Sequence, residues 1–171
     1  DNGNSNMDIL IREMELEDAP YILEIENNKD IWKVSHTQED YTLKEIELFI
    51  AKNIVDDLGT GQKRWIIGNK NSSLGCIDLF DYDAKNARGG VGIVIHPKYQ
   101  KQGIASKALD LFIALCKTKI KLHQLYCTIM PDNTHSIQLF ESKGFHQTGI
   151  RTEWTLFEGK YFDELFYQLK L

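Results

Sequence analysis

One stretch of the chain narrows its fold more than any other: Val94-Ile95-His96-Pro97-Lys98-Tyr99-Gln100-Lys101-Gln102-Gly103-Ile104-Ala105-Ser106. It begins as an apolar strand that Pro97 stops. It then passes through a polar turn and opens into a helix predicted over residues 104–117. Ala108, Leu109, Leu111, Phe112, Leu115 and Cys116 recur there at helical spacing and form one apolar stripe. An amphipathic helix that follows a strand must bury that stripe against a sheet or another helix, which demands a layered α and β architecture. The turn has a second property. The first N–H groups of a helix lack acceptors and carry partial positive charge, so a phosphate there is held by backbone. Gly103 lets such an anion approach closely, and Gln100, Lys101 and Gln102 add side-chain donors and one cation. Neither G-x-G-x-x-G nor G-K-[ST] is present, and on these residues alone an ordinary strand-to-helix turn is the alternative.

The remaining pattern changes period along the chain. Residues 8–12 alternate as a first strand. Asp18 is expected to cap a helix that ends near Glu26, with Pro20 in its first turn. Residues 27–41 have no period and read as a long loop. Thr42-Leu43-Lys44-Glu45 is a capping box, followed at helical spacing by Ile46, Phe49, Ile50 and Ile54, and Gly59 and Gly61 end that region. Strands are predicted over residues 64–67, 74–80 and 90–95, with Asp81 and Asp83 as turn caps. Another strand covers residues 125–130. A short helix over 134–143 is closed by Gly144 at the position after its cap. Two last strands, 145–156 and 160–169, meet around Glu158-Gly159. There is no internal repeat and no linker, so residues 7–171 read as one α/β or α+β domain. The polar residues 1–6 are set apart as a remnant or disordered start, with Met7 as the natural initiator.

Several function classes are disfavoured by composition. A net charge of −5 argues against a general nucleic-acid binder. No apolar run approaches the roughly 18 residues of a membrane helix. Cys76, Cys116 and Cys127 are odd in number, form no C-x-x-C pair and lie in apolar stretches. They read as small core residues, with neither a disulfide framework nor a metal site expected. The first residues contain no secretory signal, and a reduced, cytoplasmic location is expected.

Gln100-Lys101-Gln102-Gly103-Ile104-Ala105 resembles the Q/R-x-x-G-x-G/A motif of the GCN5-related N-acetyltransferases (GNAT). A second element, Asn133-Thr134-His135-Ser136-Ile137-Gln138-Leu139-Phe140-Glu141-Ser142-Lys143-Gly144-Phe145, is similar to the family's N-x-x-S/A-x-x-x-Y/F-x-x-x-G-F segment. Order and separation agree, and the likeness spans residues 7–171. The opening Ile11-Arg12-Glu13-Met14-Glu15-Leu16-Glu17-Asp18-Ala19 and the ending Gly159-Lys160-Tyr161-Phe162-Asp163-Glu164 resemble the branch of diamine/spermidine and ribosomal-protein N-terminal acetyltransferases. The resemblance implies an α+β, three-layer fold, with a mixed, mostly antiparallel central sheet flanked by helices. It implies acetyl transfer from acetyl-CoA to a primary amine by direct attack in a ternary complex, with coenzyme A as product. A homodimer is left open.

It also implies roles for residues. Ile93, Val94 and Ile95 would bind the pantetheine arm as a strand edge, with a backbone N–H stabilising the oxyanion. Gln100, Lys101, Gln102, Gly103, Ile104, Ala105 and Ser106 would hold the pyrophosphate, and Asn133, Ser136, Phe140 and Lys143 would complete the cofactor site. Many relatives place a tyrosine, acting as general acid, where this chain has Phe140, which cannot donate a proton. Tyr99, Tyr126 and Ser136 are the substitutes to weigh, or the thiolate leaves unassisted. Asp78, a carboxylate on the strand beside the cofactor strand, is the candidate base or amine anchor.

Charge bears on the acceptor. Residues 8–57 hold 14 of the 25 acidic residues and only 5 of the 20 basic ones. In the family this region covers the acceptor site, and an acidic rim there favours encounter with a polycation. Glu24, Glu26, Asp30 and Glu39 are the expected anchors, with Trp32 as a cation–π wall and His36 beside it. A solvated acidic helix face explains the same charges. The leading acceptor is a diamine or polyamine such as spermidine. A basic ribosomal-protein N-terminus is the alternative, and a non-catalytic acyl-CoA-binding sensor is the reading from another class.

Overall fold

A computed structural model of the chain describes residues 8–31 and 40–171. Among them are seven strands and four α-helices: β1 (Leu10–Glu13), α1 (Ala19–Glu26), α2 (Leu43–Asp56), β2 (Lys63–Gly68), β3 (Ser73–Asp83), β4 (Arg88–Ile95), α3 (Ile104–Leu115), β5 (Gln124–Ile129), α4 (Thr134–Ser142), β6 (His146–Phe157) and β7 (Lys160–Lys170). The strands form one sheet in the order β1-β2-β3-β4-β5-β7-β6. Neighbours are antiparallel except β4 and β5, which run parallel.

Alternation along β2 explains how the layers form. Trp65 and Ile67 join the larger core, which α3 covers with Ala108, Leu109 and Phe112. Ile66 points the other way, into a smaller core with Cys76 under α1 and α2, closed by Ile22, Ile46 and Ile50. Every residue of β2 is therefore buried, as expected of a strand covered on both faces. The three-layer expectation holds.

Local signals held where chemistry alone sets them. The Thr42–Glu45 box starts α2 as expected, each side chain accepting the other's backbone N–H. Gly144 follows α4 at φ 94°, and the N–H groups of Gly144 and Phe145 close onto the carbonyls of Glu141 and Phe140. Asp18 departs from its expected role. It stands at the start of α1 but makes no side-chain cap. Its carboxylate accepts two hydrogen bonds from Arg12, at 2.8 and 2.9 Å, and one from Glu15 N–H at 2.7 Å. An arginine six residues earlier outcompetes the helix end because a bidentate ion pair is the stronger partner. The helix predicted to reach 117 ends at Leu115 and continues as a π turn, Cys116–Ile120, stopped by left-handed Lys121. β3 runs on to Asp83, past the left-handed Asp81.

Candidate functional site

The parallel pairing of β4 with β5 covers only three positions, Arg88–Gln124, Gly89–Leu125 and Gly90–Tyr126. Both strands continue, β4 to Ile95 and β5 to Ile129. β4 remains paired with β3 as far as Ile95, but among the described residues its other edge has no strand partner from Val91 on. Peptide groups along such an edge are available to a ligand. A groove of about 500 Å³ follows it. Ile93, Val94 and Ile95 form one wall, and residues 100–106 close the end. Asn133, His135, Ser136 and Leu139 of the α4 segment face them, and Tyr99, Asp30 and Ile31 stand at the rim.

The end wall has the geometry of an anion site. Lys101 and Gly103 are both left-handed, at φ 63° and 75°, and such backbone reversals gather N–H groups into a concavity. Gly103 is the N-cap of α3 and offers no side-chain cap to its first turn. A Cβ on Gly103 would meet nothing within 4 Å, so glycine is there for its backbone angle. Opposite, Asn133 accepts Ser136 N–H at 3.1 Å and starts α4. A phosphate-bearing, extended ligand fits this groove: an unpaired strand edge leads into the positive end of a twelve-residue helix beside one lysine.

The groove brings together Ile93, Val94, Ile95, Gln100, Lys101, Gln102, Gly103, Ile104, Ala105, Ser106, Asn133 and Ser136. It does not include Phe140 or Lys143. Phe140 is 4% exposed, in the larger core, with its ring edge-on to Phe145 at 5.1 Å. This contact is the apolar clasp that accompanies a helix stop of the kind Gly144 makes, so Phe140 closes α4 from inside. Lys143 is held by Asp110 at 2.9 Å. Of the hydroxyls weighed in place of a tyrosine, Tyr99 and Ser136 line the groove and Tyr126 does not. Tyr126 stacks on Phe166, meets Phe80 edge-on and donates to Asp81 at 3.4 Å. Burial and then the Asp81 charge hold its hydroxyl above the usual tyrosine range.

Three of the carboxylates expected to face the acceptor, Glu24, Glu26 and Asp78, have protein partners. Arg64, 7% exposed, donates Nε and Nη2 to Asp78 at 2.8 and 2.9 Å and Nη1 to Glu26. Its guanidinium also lies over the Phe49 ring. Burial works to lower the Arg64 pKa, but the Asp78 charge and hydrogen bonds outweigh it, and the net shift is upward. Asp78, read as base or amine anchor, is thus bound on both oxygens by Arg64. Glu24 pairs with His96 at 2.7 Å, and Asp30 lines the groove. Trp32, His36 and Glu39 lie outside the described residues. Arg64 was not read as a site residue from the sequence, and an arginine inside an apolar strand was the available signal. His135, expected at the surface or the cofactor edge, lines the groove.

The three cysteines are buried, and burial pushes each thiol up to about 12, with charges near Cys76 modifying the effect. None is a thiolate able to carry an acyl group. Tyr21 Oη is the one buried side-chain polar atom without a hydrogen-bond partner among the described residues.

Residues 8–146 match the family model described as "Acetyltransferase (GNAT) domain". The chain belongs to the GNAT acetyltransferases. It is 23% identical to the spermidine N(1)-acetyltransferase of Escherichia coli K12 over 153 residues, covering 90% of this chain and 81% of that one. It is 23% identical to the Vibrio cholerae enzyme of the same name over 159 residues, covering 92% and 90%. The fold matches the crystal structure of spermidine N-acetyltransferase from V. cholerae in complex with CoA and spermine, with TM-score 0.87, 21% identity and 96% of each chain covered. It also matches RimL, a ribosomal L7/L12 alpha-N-protein acetyltransferase in complex with coenzyme A, with TM-score 0.84, 18% identity and 95% and 94% covered. The chain is accordingly a GNAT N-acetyltransferase enzyme, of a family that uses acetyl-CoA. No described helix is long and apolar enough to cross a membrane.

Proposed function

We propose that the groove along β4 binds acetyl-CoA and that the chain acetylates a primary amine of a small diamine or polyamine such as spermidine. The observation that carries the cofactor part is the open edge of β4 beyond Gly90, which runs into the N-terminus of α3. Backbone N–H groups at residues 101–106 and the Lys101 ammonium hold the pyrophosphate. Peptide groups of Ile93 to Ile95 would hold the arm beside the strand, where a backbone N–H would stabilise the oxyanion of an attacked thioester. When bound, acetyl-CoA supplies an acyl thioester open to attack. The buried cysteines support direct attack by the amine without an acyl-cysteine stage. Proton handling falls to groups other than Phe140, and Tyr99, Ser106 and Ser136 are hydroxyl-bearing residues on the groove, Tyr99 and Ser136 being the two weighed for this role.

Support for a polycationic acceptor comes from the acidic first third of the chain and from the names of the spermidine acetyltransferases it resembles at 23% identity. The test is coenzyme A release from acetyl-CoA with putrescine, spermidine, spermine and a basic N-terminal peptide in parallel, with Gly103→Trp as the control blocked at the anion site. Turnover on the polyamines above the peptide is expected. Turnover confined to the peptide would replace the polyamine reading with N-terminal acetylation. Coenzyme A binding without turnover on any amine would remove both acceptor readings.

A further inference from the structure

His96 stands between α1 and the turn that leads into the groove, and it does not line the groove itself. It follows the last residue of β4 and starts the 3-10 turn Pro97–Tyr99, and its N–H is anchored to Leu74 O of β3 at 2.9 Å. Both ring nitrogens are engaged. Nδ1 accepts Lys98 N–H at 3.2 Å, which leaves Nε2 as the protonated nitrogen, and it donates to Glu24 of α1 at 2.7 Å. The ring is flanked by Tyr21 of α1, with centroids 6.2 Å apart, and by Tyr99, at 6.1 Å. Tyr99 lines the groove, and the next residue, Gln100, opens the anion turn. With no lone pair left over, His96 is not placed to take a proton from an amine. It is placed to hold the Pro97–Tyr99 turn in shape and to fasten that turn to α1.

We propose that His96 is a positioning residue for the cofactor turn: its ring caps Lys98 N–H and, through Glu24, fixes the turn to α1, so that Tyr99 and residues 100–103 are pre-shaped for the anion. The proposal rests on the acetyl-CoA reading of the groove. Without the ring, the turn loses its cap and its tie, and the cost of ordering it falls on binding.

The test is calorimetric titration with coenzyme A, joined to steady-state kinetics in acetyl-CoA, on the wild type, His96→Ala, His96→Asn and Glu24→Ala. Asparagine keeps a short acceptor for Lys98 N–H. His96→Ala is expected to weaken coenzyme A binding by about tenfold, the scale of one lost cap, and to raise KM for acetyl-CoA with kcat nearly kept. His96→Asn is expected to recover most of that loss. Glu24→Ala, on an exposed side chain, is expected to give about a threefold loss. Native-like coenzyme A binding by His96→Ala and Glu24→Ala would overturn the proposal, as would an asparagine variant no better than alanine. A fall in kcat with binding intact would make His96 a catalytic residue instead. A wild type that does not bind coenzyme A would sink the reading of the groove itself, and this inference with it.

Discussion

Arg64 shows how a residue's setting depends on a partner that its neighbours in sequence do not reveal. Asp78 alone, on a half-buried strand, invites a catalytic role. With the β2–β3 register in place it lies directly opposite Arg64 and is occupied. Replacing Arg64 by Met leaves Asp78 and Glu26 with no counter-charge in a buried setting. A loss of about 3–5 kcal/mol is expected, read as a shift of the urea midpoint. Adding Asp78→Asn to that variant should recover part of it. Tyr21 gives the opposite sign. Its hydroxyl is buried with no partner, and burial pushes its pKa well up. Tyr21→Phe should leave stability unchanged or raise it by about 1 kcal/mol; a clear loss would show that the hydroxyl has a partner in solution. What the sequence could not supply at this scale was pairing. Arg64–Asp78 and Glu24–His96 join residues 14 and 72 positions apart, and no local pattern carries such a distance.

Elements were legible to the extent that their signals are local. The capping box of α2, the glycine stop of α4 and the glycine start of α3 depend on a few adjacent residues, and all three formed as expected. Gly103→Ala tests the last of these. With open space around the added Cβ, its cost is the left-handed backbone angle alone, about 1–2 kcal/mol, measurable by denaturant titration. Coenzyme A affinity should fall with it. Asp18 was misassigned because its competing partner sits on β1. There, burial works to raise the Asp18 carboxyl, but hydrogen bonds from Arg12 and Glu15 N–H outweigh it and hold it below the ordinary value. A lowered folded pKa means that the stabilisation is present at neutral pH. It fades as pH falls below the unfolded value of about 3.9, and it is gone below the folded one. Asp18→Asn is therefore expected to cost about 1 kcal/mol at pH 7 and nothing in strong acid, as read from urea midpoints at the two pH values. A gap that persists in acid would trace the loss to packing instead of charge.

The layered architecture followed from periodicity and the strand-to-helix segment, but the strand order did not. β7 lies between β5 and β6, an arrangement fixed by which edges remain open after the first four strands have paired, a property of the assembled sheet. The same holds for the three-position contact of β4 with β5. The chain before it is a local antiparallel run, β1 to β4. The chain after it closes on itself as β5, β7 and β6. The sheet is thus two antiparallel runs joined edge to edge by three residue pairs, under one continuous core, and the groove lies along the part of β4 beyond that seam. A ligand laid along β4, as proposed, would take the place of the strand that β4 lacks there, so filling the groove would also bridge the two runs.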